Sequence, residues 1–299
     1  MKLLVTGAAG QLGHDLLIEL DRRGHDVTGT DLFPLPEGNF SNIPLDITNA
    51  NAVDQVMETL RPDAVIHCAG WTAVDLAEEP ENREKVEAIN AGGTRNLAAA
   101  CRRIGAKMLY ISTDYVFDGQ GTEPWKPDCR NYAPLSVYGK TKLEGELAVA
   151  ELLERYFIVR IAWVFGKNGK NFVKTMLNVS KTHDTVRVVC DQIGTPTYTV
   201  DLSRLLADMI VTDAYGYYHA TNEGGYISWY EFTKEIYRQA GLSTEVIPVT
   251  TAEYGLSRAA RPFNSRLDKS KLREMGFEPL PAWQDALARF LAEIGEKKE

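Results

Sequence analysis

The chain has 299 residues, 44% of them hydrophobic and 25% charged, which is length enough for a sizeable buried core in one large or two modest domains. Its net charge of -8 argues against a general nucleic-acid or anionic-membrane binder, whose surface would be basic, and leaves room for a small anionic ligand held by local cations. Cys68, Cys101, Cys129 and Cys190 form neither a CxxC pair nor a metal-type spacing and read as reduced thiols.

The first predicted strand, "KLLVTG", starts so early that no signal peptide is expected before it. Since no apolar run approaches the roughly 20 residues of a bilayer crossing, the expected address is the cytoplasm, with no membrane partner. Leu12, Leu16, Leu17 and Leu20 then recur at helical spacing up to Gly24. "DVTGTD" is a second strand, 49–60 a helix, "AVIHCAG" a third strand and 81–104 a long helical segment. "KMLYIST", the helix "SVYGKTKLEGELAVAELL" and the strand "YFIVRIAWVFG" follow. Strands alternating with helices need crossovers, so the spacing predicts an α/β doubly wound parallel sheet of Rossmann type. Beyond Gly166 shorter strands ("VRVVC", "YGYYHA", "EVIPV") mix with helices at 171–181, 200–211, 228–240 and 282–294. The expected division is a dinucleotide-binding domain over 1–166 and a smaller substrate-binding lobe over 167–299, with about 195–222 returning to the main sheet.

"VTGAAGQLG" places Gly7, Gly10 and Gly13 between a strand and a helix. Glycines there allow a sharp turn and close approach to a phosphate, and the helix N-terminus offers amides to a pyrophosphate. Asp31 ends the second strand, where an acid binds an adenosine ribose and repels a 2′-phosphate, favouring NADH over NADPH. Asp46 and Ile47 lie where they can reach the adenine edge, although Asp46 also suits the turn before the helix at Asn49. Tyr138 and Lys142 fall one turn apart on a single helix face, and a nearby ammonium and an oxidised nicotinamide would both lower the phenol's pKa. The same pair occurs by chance in many helices. It gains weight from "YISTDYVFDG", which puts Thr113 at a strand's C-terminal end. His67, inside a predicted buried strand, reads as a core residue.

GxxGxxG, "HCAG", "STDYVFDG" and YxxxK in this order resemble an extended short-chain dehydrogenase/reductase. With "NFVKTML", "DQIGTPT" and "RPFNSRLD" the chain is similar, over nearly its whole length, to the dTDP-4-dehydrorhamnose reductase family. The resemblance implies a nucleotide-diphosphate sugar substrate, reduced at its C4 keto group with NAD(P)H in dTDP-L-rhamnose synthesis. It implies a catalytic set of Thr113, Tyr138 and Lys142, with Tyr138 the proton donor, Thr113 a hydrogen-bond partner of the developing alkoxide, and Lys142 holding the ribose. It further implies cofactor contacts at Gly7, Gly10, Gln11, Leu12, Asp31, Ala69, Gly70 and Thr72. On the sugar side it implies Asp114, Tyr115, Trp163, Asn171, Phe172 and Arg261, although core packing would explain the aromatics equally.

Some members of the family bind magnesium through acids near the first helix and before the "DQ" motif. Asp15 matches the first, but Cys190 precedes Asp191 where another acid would be expected. No metal ligand is therefore assigned, and a homodimer would have to form through other contacts. Two alternatives stay open: a nucleotide-sugar 4-epimerase, and a non-catalytic NAD(P)-binding regulatory subunit of the kind that serves methionine adenosyltransferase. A 4,6-dehydratase fits less well, because Tyr115 stands where its second acid would be.

Overall fold

The computed structural model describes residues 1–35 and 40–296. The first half runs β1 (Lys2–Thr6), α1 (Gln11–Arg22), β2 (Asp26–Asp31), β3 (Ser41–Pro44), α2 (Ala50–Leu60) and β4 (Ala64–His67). It continues through α3 (Val74–Ala77), α4 (Pro80–Glu87), a π-helical turn at Ala88–Gly93, α5 (Thr94–Ile104), β5 (Lys107–Thr113), α6 (Val137–Leu152) and β6 (Tyr156–Ile161). The second half contributes β7 (Val164–Phe165), α7 (Phe172–Ser180), β8 (Thr185–Val189), β9 (Ile193–Gly194), β10 (Thr197–Tyr198), α8 (Thr199–Ile210) and β11 (Gly216–His219). After these come β12 (Ile227–Ser228), α9 (Trp229–Ala240), β13 (Glu245–Val249), α10 (Thr251–Tyr254), α11 (Ser270–Glu274) and α12 (Trp283–Glu293).

Among the described residues one seven-stranded sheet dominates, ordered β3-β2-β1-β4-β5-β6-β11 with every neighbouring pair parallel. The order reverses at β1, with β2 on one side and β4 on the other, and ligands bind outside the strand ends at such a switch point. Both faces of the sheet are buried, as parallel sheets require. Leu3 and Val5 join Leu16, Leu17 and Leu20 of α1 and Leu202, Leu205 and Leu206 of α8 on one face. Leu4, Val65, Met108 and Tyr110 pack with Leu97, Cys101 and Val149 on the other. A further core, built almost wholly from the second half of the chain, gathers around Phe165, Tyr198, Phe232, Trp283 and Phe290. Among the described residues no helix is long and apolar enough to cross a membrane.

Three elements differ from the sequence reading. β3 ("SNIP") has no apolar alternation and ends in proline; an edge strand paired only with β2 tolerates both. The expected helix over 81–104 is interrupted by the π-helical turn, where the Asn90 amide turns aside to bond the main chain of Trp71. The expected single strand "YFIVRIAWVFG" breaks in two because Trp163 adopts a left-handed φ of 51°, which hands the chain from β6 in the main sheet to β7 beside β10.

Candidate active site

The C-terminal ends of β1, β2, β4 and β5 and the facing lobe enclose a cleft of about 1190 Å³. Every residue singled out from the sequence for the site lines it except Asn171.

At one end lies the glycine turn. Gly7 has φ of +69°, and a Cβ there would lie 2.6 Å from the Ala69 nitrogen, while one on Gly13 would lie 2.1 Å from the Gly7 carbonyl oxygen. These two glycines thus let β1, β4 and α1 meet at the turn. Gly10 caps α1 without a side chain, which leaves the helix's N-terminal amides near Gln11 and Leu12 for a ligand. The Asp31 carboxylate closes the turn, accepting from the amides of Ala9 (3.0 Å) and Phe33 (3.1 Å). Asp46 is exposed and accepts from the Thr48 amide (2.9 Å) and hydroxyl (2.7 Å), while Ile47 is buried beside it at the cleft wall. Ala69, Gly70 and Thr72 follow β4 along the floor. An open helix N-terminus with a carboxylate at the end of the next strand suits the pyrophosphate and ribose of a dinucleotide.

Thr113, at the end of β5, donates to Asp114 Oδ1 (3.0 Å) and accepts from the Tyr115 amide (3.3 Å). Tyr138 stands in the first turn of α6, whose start is fixed by Ser136 accepting from the Gly139 amide. The Tyr138 ring meets Tyr115 edge-on at 5.5 Å. Burial pushes the Tyr138 phenol up to about 12; the Thr113 hydroxyl pulls it down and Asp114 adds to the rise. Lys142, one turn on, is driven down to about 7 by burial, against the pull of Glu146 and Cys68. Its Nζ donates to the Ile111 carbonyl (2.7 Å) and sits 4.1 Å above the Tyr110 ring. Lys142 is engaged by β5, and the phenol's pKa is set by burial, Thr113 and Asp114.

Asp114 is buried and raised to about 6, chiefly by desolvation, with Ser265 and Thr113 opposing. Burial also raises the Tyr115 phenol. Trp163 stacks on Trp229 at 3.7 Å, and Phe172 lies 4.4 Å from the same ring, so the lobe presents an aromatic wall. Arg261 reaches the rim but is already paired, its Nη1 and Nη2 bonding Asp75 at 3.0 and 2.6 Å. The same carboxylate accepts from the amides of Arg258 and Ala259, fastening this loop to α3.

Asn171 sits behind the cleft wall, bonded to Gln11, which lines the cleft. Its Oδ1 caps α7 at the Lys174 amide, and its Nδ2 donates to Gly166 O (2.8 Å) and Gln11 Oε1 (3.0 Å). An asparagine directly before an apolar-periodic helix is a capping signal in its own right. Trp229, Trp71, Lys85 and Phe33 line the cleft without having been singled out. Trp229 opens α9 after a Ser228–Glu231 capping box, which marks the helix start but says nothing of where the ring points. Asp15 lies buried beside Thr199 with its Oδ2 unbonded among the described residues, and Asp191 accepts from the Thr251 amide and hydroxyl. His67 is a satisfied core residue: Thr94 gives its proton to Asn90 O and so receives from Nε2, while Thr6 lies 2.6 Å from Nδ1.

Behind the tyrosine helix, Arg160 of β6 and Glu146 of α6 form a fully buried pair through two hydrogen bonds of 2.8 and 2.7 Å. Arg160 also donates to Pro127 O and Tyr132 Oη, and the Phe117 and Tyr217 rings each lie 4.9 Å from its guanidinium carbon.

Comparison with known proteins agrees over the whole chain. The family model described as RmlD substrate binding domain matches residues 1–296. The dTDP-4-dehydrorhamnose reductase of Streptomyces griseus is 44% identical, covering 95% of this chain and 91% of its own. The crystal structure of the Bacillus anthracis dTDP-4-dehydrorhamnose reductase in complex with NADP is 43% identical with a TM-score of 0.88, covering 98% of this chain and 100% of that one. A Clostridium acetobutylicum ortholog, also 43% identical, superposes with a TM-score of 0.91 over 99% of this chain and 100% of that one.

Proposed function

The chain belongs to the RmlD substrate binding domain family, and from that premise we propose that it is a dTDP-4-dehydrorhamnose reductase, an oxidoreductase of nucleotide-sugar metabolism. The observation that carries the reading is the convergence of Thr113, Tyr138 and Lys142 on the cleft that also holds the glycine turn. A bound NAD(P)H supplies hydride to the sugar's C4 carbon. The protein's part is to orient the ketone and to stabilise charge that appears on its oxygen as the reaction proceeds.

Tyr138 gives its phenolic proton to that oxygen. A phenol held near 12 is fully protonated at neutral pH and so is loaded as a donor before the ketone arrives. Thr113, beside it, turns its hydroxyl from Asp114 to hydrogen-bond the same oxygen. Lys142 binds the nicotinamide ribose from its place between β5 and α6. The helix amides at Gln11 and Leu12 receive the pyrophosphate, and Asp31 the adenosine ribose. Asp46, Ile47, Ala69, Gly70 and Thr72 complete the cofactor side. The wall of Trp163, Phe172 and Trp229, with Tyr115 and Asp114, holds the sugar. Asp31 also makes NADH at least as good a donor as NADPH, because its carboxylate repels a 2′-phosphate.

The test is turnover. Mixed with NADH or NADPH and a dTDP-4-keto-6-deoxy sugar, the protein should oxidise many equivalents of coenzyme, followed by nicotinamide absorbance. Oxidised coenzyme retained on the protein would point instead to an epimerase, and tight binding without oxidation to a regulatory subunit.

A further inference from the structure

We propose that Tyr110 is a positioning residue for Lys142, its buried ring face seating the ammonium and keeping it directed at the cleft. The proposal rests on the cofactor-binding role of Lys142 given above. Lys142 is 6% exposed, yet among the described residues no carboxylate bonds it, because Glu146, one turn along α6, is committed through both oxygens to Arg160. Cys68 and His67 face it from the end of β4, and Tyr138 precedes it on α6. Burial keeps the Cys68 thiol protonated and the His67 imidazole neutral, so neither supplies a counter-charge at neutral pH. The electron-rich group in contact is the ring of Tyr110, 4.1 Å from Nζ. A cation over an aromatic face is held more firmly as water is excluded. Of the ammonium's three donors, one goes to the Ile111 carbonyl and one faces the ring, which leaves one for the cleft.

The ring is itself fixed. Tyr110 is fully buried, stacks on His67 at 5.3 Å with the planes 23° apart, and donates its hydroxyl to the Lys142 carbonyl (3.3 Å). Gly145 makes room for it, since a Cβ at that position would lie 2.5 Å from the Tyr110 hydroxyl oxygen. The ring and the helix that carries Lys142 are thus keyed to each other, and the Thr6–His67–Thr94 chain braces the ring's far side.

The experiment follows the Lys142 side chain directly. In protein labelled with ¹³C-lysine, the Cε resonance that disappears in Lys142→Met is titrated in wild type, in Tyr110→Phe and in proteins carrying progressively fluorinated phenylalanine at position 110. Tyr110→Phe should leave the midpoint within about 0.3 pH unit, whereas full loss of the ring's negative face should move it down by ~1 unit and weaken NADH binding at pH 8 by about tenfold. Tyr110→Leu should move it the same way; the fluorinated series, which keeps the ring's shape, stands if the leucine variant does not fold. A midpoint indifferent to fluorination overturns the proposal. NADH binding by the wild type in the same samples separates the two readings: without it the ribose role of Lys142 falls, whatever the titration gives.

Discussion

The buried lysine makes the chain's stability depend on pH in a direction opposite to that of a paired lysine. Unfolded, Lys142 keeps its proton to about the usual 10.5; folded, it releases it near 7. Between those values the unfolded state binds more protons, so stability climbs with pH by about 1.4 kcal/mol per unit for this one site. Below pH 7 the burial penalty is present in full, and it is relieved as pH approaches 10.5. From pH 7 to 9.5 the relief amounts to on the order of 3 kcal/mol, a window that ends before ordinary tyrosines ionise. Lys142→Met keeps the stem's packing and removes the titrating group. The variant should therefore be the more stable protein at pH 7, and its advantage should shrink by about 3 kcal/mol by pH 9.5. Urea unfolding of both proteins across this range measures it, each midpoint being read with its own slope. An advantage that stays flat with pH would show that the lysine is not held in the environment described, and would undo the account of its burial.

Tyr138→Phe should lower kcat by ~10²–10⁴ while leaving NADH affinity unchanged in fluorescence titrations, because only the proton is lost. Arg160→Met should destabilise by about 3–5 kcal/mol in urea unfolding, since it strands a fully buried Glu146, whereas Arg160→Met with Glu146→Leu should recover most of the loss. Two additive losses in that cycle would mean that the pair is not coupled. Asp31→Asn should raise the ratio of kcat/KM for NADPH over NADH by about tenfold, from removal of a like charge beside the 2′-position; an unchanged ratio would place the ribose elsewhere.

What could be read from the chain is what short stretches encode. The glycine turn, the alternation of strand and helix, and the one-turn step from Tyr138 to Lys142 each depend on a few neighbouring residues. The missed features depend on partners distant in sequence. β3 exists because β2 offers it a free edge, and no pattern within "SNIP" announces that. The π-helical turn forms where Asn90 reaches back to Trp71. Arg261 looked like a free cation until the fold set Asp75 against it. That Lys142 would also meet Ile111 and Tyr110 of β5 could not be read from its helix. Asn171 carries a capping signal in plain view, directly before an apolar helix, and it caps α7.

The carboxylate of Asp75 gathers two amides and a guanidinium from one loop of the lobe. A phosphate is an acceptor of the same sign, so a diphosphate arriving beside Arg261 would compete with Asp75 for that guanidinium. The loop's attachment to α3 and the pairing of that arginine would then change together, since one carboxylate holds both.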